Sequence, residues 1–213
     1  MGTGSWVERL CNGRIWWYRA APVLTLEAEL SYIDTARSVK GYVGARQVAD
    51  CFKGADGVVV PEGVPRKPGI TRDDLFNTNA GIVRDLTSAI TDNCPKALIV
   101  IITNPVNSCV LLTAEVLKSK GKYYPRRLFG VSTLDIVRAQ KFISESCKVD
   151  LATIDIPVIG GHSGVTIIPV ISQCKPKVSF SQPDLEKITV RIQEAGTEGM
   201  EAKAEARRGL KRF

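Results

Sequence analysis

The sequence contains one histidine and two methionines, and no apolar run longer than Ala97 to Ile102. A membrane-spanning helix needs about 18 to 20 consecutive apolar residues, so no membrane span is expected. Cysteines stand at Cys11, Cys51, Cys94, Cys109, Cys147 and Cys174, but no two of them form a C-x-x-C pair. Metal sites and disulfide scaffolds use tighter spacing, so reduced, mostly buried thiols and no metal site are expected. Acidic residues are outnumbered, and the formal net charge is +7. That excess gathers at the ends, in Arg9, Arg14 and Arg19 and again in Lys203, Arg207, Arg208, Lys211 and Arg212, leaving a nearly balanced body. Such a distribution lacks the basic stripe of a nucleic-acid interface, so a nucleic-acid binder is the last-ranked reading.

What is present is ordinary for a globular chain: 44% hydrophobic and 24% charged residues over 213 positions. That length suits one large domain or two small ones, and a chain of this size buries about 70% of its unfolded surface. The first 30 residues hold all three tryptophans, Trp6, Trp16 and Trp17, and show no clear period of 2 or 3.6. They contain arginine and little acid, but the adjacent tryptophans and scarce serine depart from a mitochondrial presequence.

From about residue 31 the pattern becomes regular. Asp56 to Val60 reads as a buried strand stopped by Pro61, and Asp73 to Ile90 as a helix opened by Asp73 and Asp74. Ala97 to Thr103 reads as a strand, Val106 to Ser119 as a helix, Arg127 to Val131 as a strand and Thr133 to Cys147 as a helix. Strands alternating with helices predict a parallel sheet covered on both faces, with ligands at the carboxyl ends of its strands. After residue 150 two β-branched runs, Ile154 to Ile159 and Val165 to Ile171, flank a glycine-rich bend, and a long helix follows over Asp184 to Arg208. The domains expected are therefore an atypical segment over 1–30, a sheet domain over 31–150 and a mixed α and β unit over 151–213.

Candidate chemistry lies in the loops. His162 sits between Gly161 and Ser163. A lone histidine is often structural, but glycine neighbours allow close approach to a ligand, and imidazole exchanges protons near neutral pH. Asp135 and Arg138 are three apart and share a helix face, either as a surface ion pair or as an orienting acid beside a substrate-binding arginine. Arg66 and Arg72 flank a loop stiffened by Pro65 and Pro68, where two guanidiniums could grip carboxylates or simply meet solvent. Asn104-Pro105-Val106-Asn107 follows a buried strand and could hold a hydroxyl or amide.

Four segments in order, GVPRKPGITRDDLFNTNAGIV (63–83), ITNPVNS (102–108), LFGVSTLDIVRA (128–139) and IPVIGGHSGVTIIPVISQ (156–173), resemble the malate dehydrogenases of the mitochondrial and bacterial type, within the lactate/malate dehydrogenase family. The resemblance runs from about Leu30 to Ala204. It implies a Rossmann-like doubly wound sheet followed by a substrate domain, NAD as cofactor, malate and oxaloacetate as substrates, a homodimer and the mitochondrial matrix. By the resemblance, His162 exchanges the proton and Asp135 orients it, and Arg138 binds the carboxylate beside the reacting carbon. Arg72 polarises the carbonyl and Arg66 holds the far carboxylate. Asn104 touches both substrate and cofactor, and Asn79 and the backbone at Ile102 and Thr103 contact NAD.

The family pattern departs at both ends. The glycine-rich phosphate turn is not recognisable; Gly2-Thr3-Gly4-Ser5-Trp6-Val7 lacks a preceding strand and the third glycine. Leu24-Thr25-Leu26 is the only remnant of a second strand, and the likeness stops near Ala204. The expectation is a partial sheet whose first βαβ unit is largely missing, followed by a shortened substrate domain, with NAD binding and activity impaired. The alternative is a catalytically silent fragment that binds a partner subunit.

Overall fold

The computed structural model describes residues 7–11, 14–19, 32, 39–61, 63 and 72–210, with backbone alone at 7–11, 14–19, 45, 72, 203, 204 and 206–210. The chain divides into two units, Met1–Val131 and Ser132–Phe213.

In the first unit, β1 (Val7–Cys11), β2 (Arg14–Arg19), β3 (Val39–Val43), β4 (Gly57–Val60), β5 (Leu98–Ile101) and β6 (Leu128–Gly130) form one sheet in the order β3-β2-β1-β4-β5-β6. Five strands share a direction, and β1 runs against both its neighbours. Connection length dictates this. Two residues join β1 to β2, which permits only an antiparallel hairpin, whereas helices carry the chain from β3 to β4, β4 to β5 and β5 to β6. Those helices are α1 (Val48–Phe52), α2 (Arg72–Asn93) and α3 (Val106–Ser119). The two strands at 7–11 and 14–19 fall within the segment over 1–30 whose sequence shows no clear period. Trp16, Trp17 and Tyr18 are good strand formers, and cross-strand pairing replaces the missing periodicity. Leu24–Leu26 falls outside the described residues.

The parallel strands are rich in β-branched residues, and burial alternates along them. Val58 and Val60 pair in register with Ile99 and Ile101, and these four join Phe52, Val83, Ile90 and Cys109 in one core cluster. The other face is less covered: Val59 and Val100 are half-buried, and Leu98 and Phe129 are exposed. α2 and α3 pack on one another and direct Val83, Leu86, Ile90, Cys109 and Leu117 into a single cluster, so one side receives most of the apolar surface. Acidic Asp73 and Asp74 in the first turn of α2 complement its dipole.

The second unit consists of α4 (Thr133–Cys147), an antiparallel pair β7 (Val158–Gly160) and β8 (Ile167–Pro169), and α5 (Gln182–Leu210). Its core joins Ala139 and Ile143 of α4 to Ile154, Ile156, Ile167 and Ile171, and to Ile188 and Ile192 of α5. That core explains why the chain divides at Val131 and Ser132 rather than near residue 150: α4 buries its apolar face in the second unit. Gln140 Nε2 donates to Ile154 O at 2.8 Å and Gln193 Nε2 to Ile167 O at 3.0 Å, fastening both helices to the backbone between them.

Cys109 provides a pH test of the first core. Burial pushes its thiol up from 9.0 to about 11. Between those values the folded chain keeps the proton and the unfolded chain releases it, so the folded state loses stability as pH rises through this window. By pH 10.5 the expected loss is about 2 kcal/mol. Urea midpoints at pH 8 and 10.5 should therefore fall further for the natural chain than for Cys109→Ala. Equal falls would show that the thiol is not desolvated.

Candidate active site

Histidine and aspartate meet inside the second unit. Asp135 is the third residue of α4, its amide donating to Ser132 O at 2.9 Å, and its side chain turns inward to 1% exposure. His162 follows β7, and its Nδ1 lies 2.5 Å from Asp135 Oδ2. A carboxylate can only accept, so Nδ1 carries the hydrogen and donates it. Asp135 Oδ1 has no hydrogen-bond partner among the described residues, and Arg138 Nη1 stands 3.6 Å from it, close enough to compensate charge but too far for a hydrogen bond. A buried carboxylate costs several kcal/mol unless compensated, and here a ring N–H and a guanidinium flank it.

The turn that carries His162 is held at many points. Gly161 N–H donates to Thr166 O at 2.9 Å, Thr166 N–H to Ser163 O at 3.0 Å, and Thr166 Oγ1 to Ser163 O at 2.8 Å. Gly160 has φ of +89°, and a Cβ there would lie 2.1 Å from Thr166 O. Only glycine fits, and Gly160 pairs with Ile167 at the end of the hairpin, two residues before the histidine. Arg138 is half-buried. Across from it α5 presents Gly196, where a Cβ would stand in ordinary contact with Arg138 Nη1, at 3.9 Å.

In the first unit a second polar cluster lies at the carboxyl ends of β4 and β5. Val60 O accepts from Ile102 N–H at 2.9 Å, from Thr103 N–H at 3.2 Å and from Thr103 Oγ1 at 3.0 Å. These amides are thus engaged, so the backbone at Ile102 and Thr103 can offer a ligand only carbonyl oxygens. Asn79 is buried at 1% exposure and donates Nδ2 to Asn104 O at 2.6 Å. Gly63 passes so close that a Cβ would meet Asn79 Nδ2 at 2.9 Å. Asn79 therefore braces the segment carrying Asn104, whose own side chain is exposed. Arg66 lies outside the described residues, and Arg72 opens α2 with only its backbone described. Among the described residues no group of three or more His, Cys, Asp or Glu side chains could hold a metal ion.

The sequence matches the model of the lactate/malate dehydrogenase NAD binding domain over residues 24–130 and that of the lactate/malate dehydrogenase alpha/beta C-terminal domain over residues 132–208. The chain belongs to the lactate/malate dehydrogenase family. Over 193 residues it is 58% identical to mitochondrial malate dehydrogenase of Bos taurus and 57% identical to that of Homo sapiens. Each alignment covers 91% of this chain and 57% of the relative, so the chain spans just over half the length of these relatives. A solved malate dehydrogenase from Aeropyrum pernix has a TM-score of 0.73 at 26% identity, covering 85% of this chain and 58% of that one. The two family domains meet at residues 130 and 132, the same place where the structure divides.

Within this lactate/malate dehydrogenase chain, sequence reasoning did not single out three groups that shape the site. Gly196 was legible only as a glycine inside a helix, a pattern that costs stability and so hints at a packing reason. Gln140 and Gln193 carried no signal, because their partners are backbone carbonyls set by tertiary structure. The tight fit at Gly160 yields a stability test. Gly160→Ala should destabilise the second unit by about 2 kcal/mol or more in urea unfolding, since the added methyl meets backbone rather than a movable side chain. An unchanged midpoint would mean that the hairpin opens without cost.

Proposed function

We propose that the chain interconverts malate and oxaloacetate with His162 as the proton-exchanging group and NAD as cofactor. The contact between His162 Nδ1 and Asp135 Oδ2 is the observation that carries this reading. Asp135 holds the hydrogen on Nδ1, so Nε2 is the nitrogen that takes the hydroxyl proton of malate and returns it to the carbonyl oxygen of oxaloacetate in reverse. When Nε2 accepts that proton the ring becomes a cation, and the buried carboxylate beside it offsets the new charge. NAD, when bound, supplies the acceptor for the hydride.

The substrate is a dianion, and three arginines are proposed to bind it. Arg138 takes the carboxylate next to the reacting carbon, Arg72 polarises the carbonyl, and Arg66 holds the distal carboxylate. Asn104 contacts substrate and cofactor, and Asn79, Ile102 and Thr103 serve the cofactor through the segment that follows β5. The exposed Asn104 side chain on a backbone braced by Asn79 supports this assignment on the nicotinamide side. A mitochondrial location follows the names of the mammalian relatives, and a homodimer follows the family resemblance.

Oxaloacetate-dependent loss of NADH absorbance tests the proposal. His162→Ala should lower turnover by about 10²- to 10⁴-fold while leaving NADH binding unchanged. NADH binding without any turnover in the natural chain would favour the alternative, a catalytically silent chain that acts by pairing with another subunit. Arg66→Gln should shift preference away from oxaloacetate toward a monocarboxylic 2-oxo acid by about tenfold or more. Unchanged preference would remove Arg66 from substrate selection.

A further inference from the structure

The second unit contains a cavity of about 740 Å³ at the end of the α4 and α5 pair away from the histidine–aspartate contact. Its walls are the last residues of α4, the irregular segment 177–181 and the first turns of α5. An irregular segment makes a firm wall only when it is fastened, and this one is fastened on both sides. Asp155 and Lys175 exchange backbone hydrogen bonds of 2.8 Å in each direction, and Ser181 Oγ donates to Asp184 Oδ2 at 2.6 Å as α5 begins. Ser144 Oγ donates to Val149 O at 2.8 Å, fixing the chain as it leaves α4. None of Asp135, Arg138 and His162 lines the cavity. Cys147 does, and it lies twelve residues beyond Asp135, about 18 Å along the helix.

The lining separates by chemistry. Val149, Val178, Phe180 and Ile188 form an apolar floor, with Ile188 buried and the other three half-buried. Desolvation raises the Cys147 thiol above its ordinary value, as expected beside such a floor. Exposed Lys177, Lys187 and Arg191 face a single acid of the lining, Asp184, which already accepts from Ser181. Arg191 shares its charge with Glu145 and Glu198, whereas neither lysine has an ion-pair partner among the described residues. We propose that this cavity binds an amphipathic anion, a carboxylate or phosphate head on an apolar chain, with the head on Lys177 and Lys187 and the chain on the apolar floor. The lysines compensate the head, and the floor removes the chain from water. A fully polar acid such as malate gains nothing from that floor, so this ligand differs in kind from the substrate proposed for His162. The volume lies within the ordinary range of small-molecule sites.

Cys147 provides the readout, because Cys51, Cys94, Cys109 and Cys174 are buried. Alkylation of the 213-residue chain by N-ethylmaleimide is followed at Cys147 by peptide mass, with octanoate, octyl phosphate, butanoate or 1-octanol present. Octanoate or octyl phosphate should slow the labelling, and the more effective of the two identifies the preferred head. Half-protection by octanoate is expected at a concentration about tenfold or more below that of butanoate, since four further methylenes leave water. Lys187→Glu, an exposed change that leaves the core untouched, should raise the half-protecting concentration of both eight-carbon anions by about fivefold or more. Protection by 1-octanol equal to that by octanoate, or an unchanged response in Lys187→Glu, overturns the proposal, because the lysines would then recognise no head. Absence of protection by either anion at about 5 mM overturns it as well.

Discussion

A carboxylate buried to 1% exposure is tolerated only where its charge is met, and Asp135 is met from two sides by groups of its own unit. One side is the imidazole of His162, delivered by a hairpin whose turn is locked through Thr166. The other is Arg138, one turn along the same helix. Both are positioned by the same core that joins α4 to α5, so the geometry of the histidine–aspartate pair and the stability of the unit are one problem. Neither could drift without exposing Ile143, Ile156 and Ile192 or stranding the carboxylate.

The first unit separates two properties that usually travel together. Strand order is kept when each backbone finds a neighbour, and an antiparallel strand satisfies its neighbours as fully as a parallel one. What changes with direction is where the ends point, and in doubly wound sheets the ligand sits at the ends. A hairpin over residues 7–19 can therefore complete the sheet, pairing with β4 on one side and β3 on the other, without building the turn that a dinucleotide uses. The NAD binding domain match begins at residue 24, so the hairpin over 7–19 joins the sheet from outside the matched span.

Much of this was legible in the residues. α3 and α4 run over Val106–Ser119 and Thr133–Cys147, the same spans as the helical pattern, because Pro105 and the left-handed Lys148 bound them and a single apolar face fills them. β4 and β5 were equally plain from GVVV and LIVI. β1 and β2 were not, since two short strands with charged and aromatic residues acquire their regularity only from each other. The division at Val131 was also hidden: α4 has the same apolar stripe whichever unit receives it. In the site, Asp135 and His162 were legible as types suited to proton transfer, but their contact joins positions 27 residues apart and depends on the β7–β8 hairpin. Asn79 was legible as a polar residue on a helix, whereas its bracing of Asn104 and its fit against Gly63 arise only in the folded chain.

Arg191 and Arg138, both in the second unit, differ in how their charge is met. Arg191 faces Glu145 at 3.5 Å and Glu198 at 3.4 Å, and it lies over the Phe142 ring at 4.0 Å. Its charge is spread over two acids and an aromatic face, and it serves to hold α5 against α4. Arg138 faces a single carboxylate oxygen, at 3.6 Å, with the small Gly196 opposite. A guanidinium has five N–H donors in a fixed fork, and an acid at that distance engages its charge without using those donors in hydrogen bonds. Asp135 thus meets the charge of Arg138 while leaving its fork of donors unengaged, and the same acid holds the His162 imidazole through its other oxygen. One buried aspartate ties the two side chains together because each leans on a different oxygen of it.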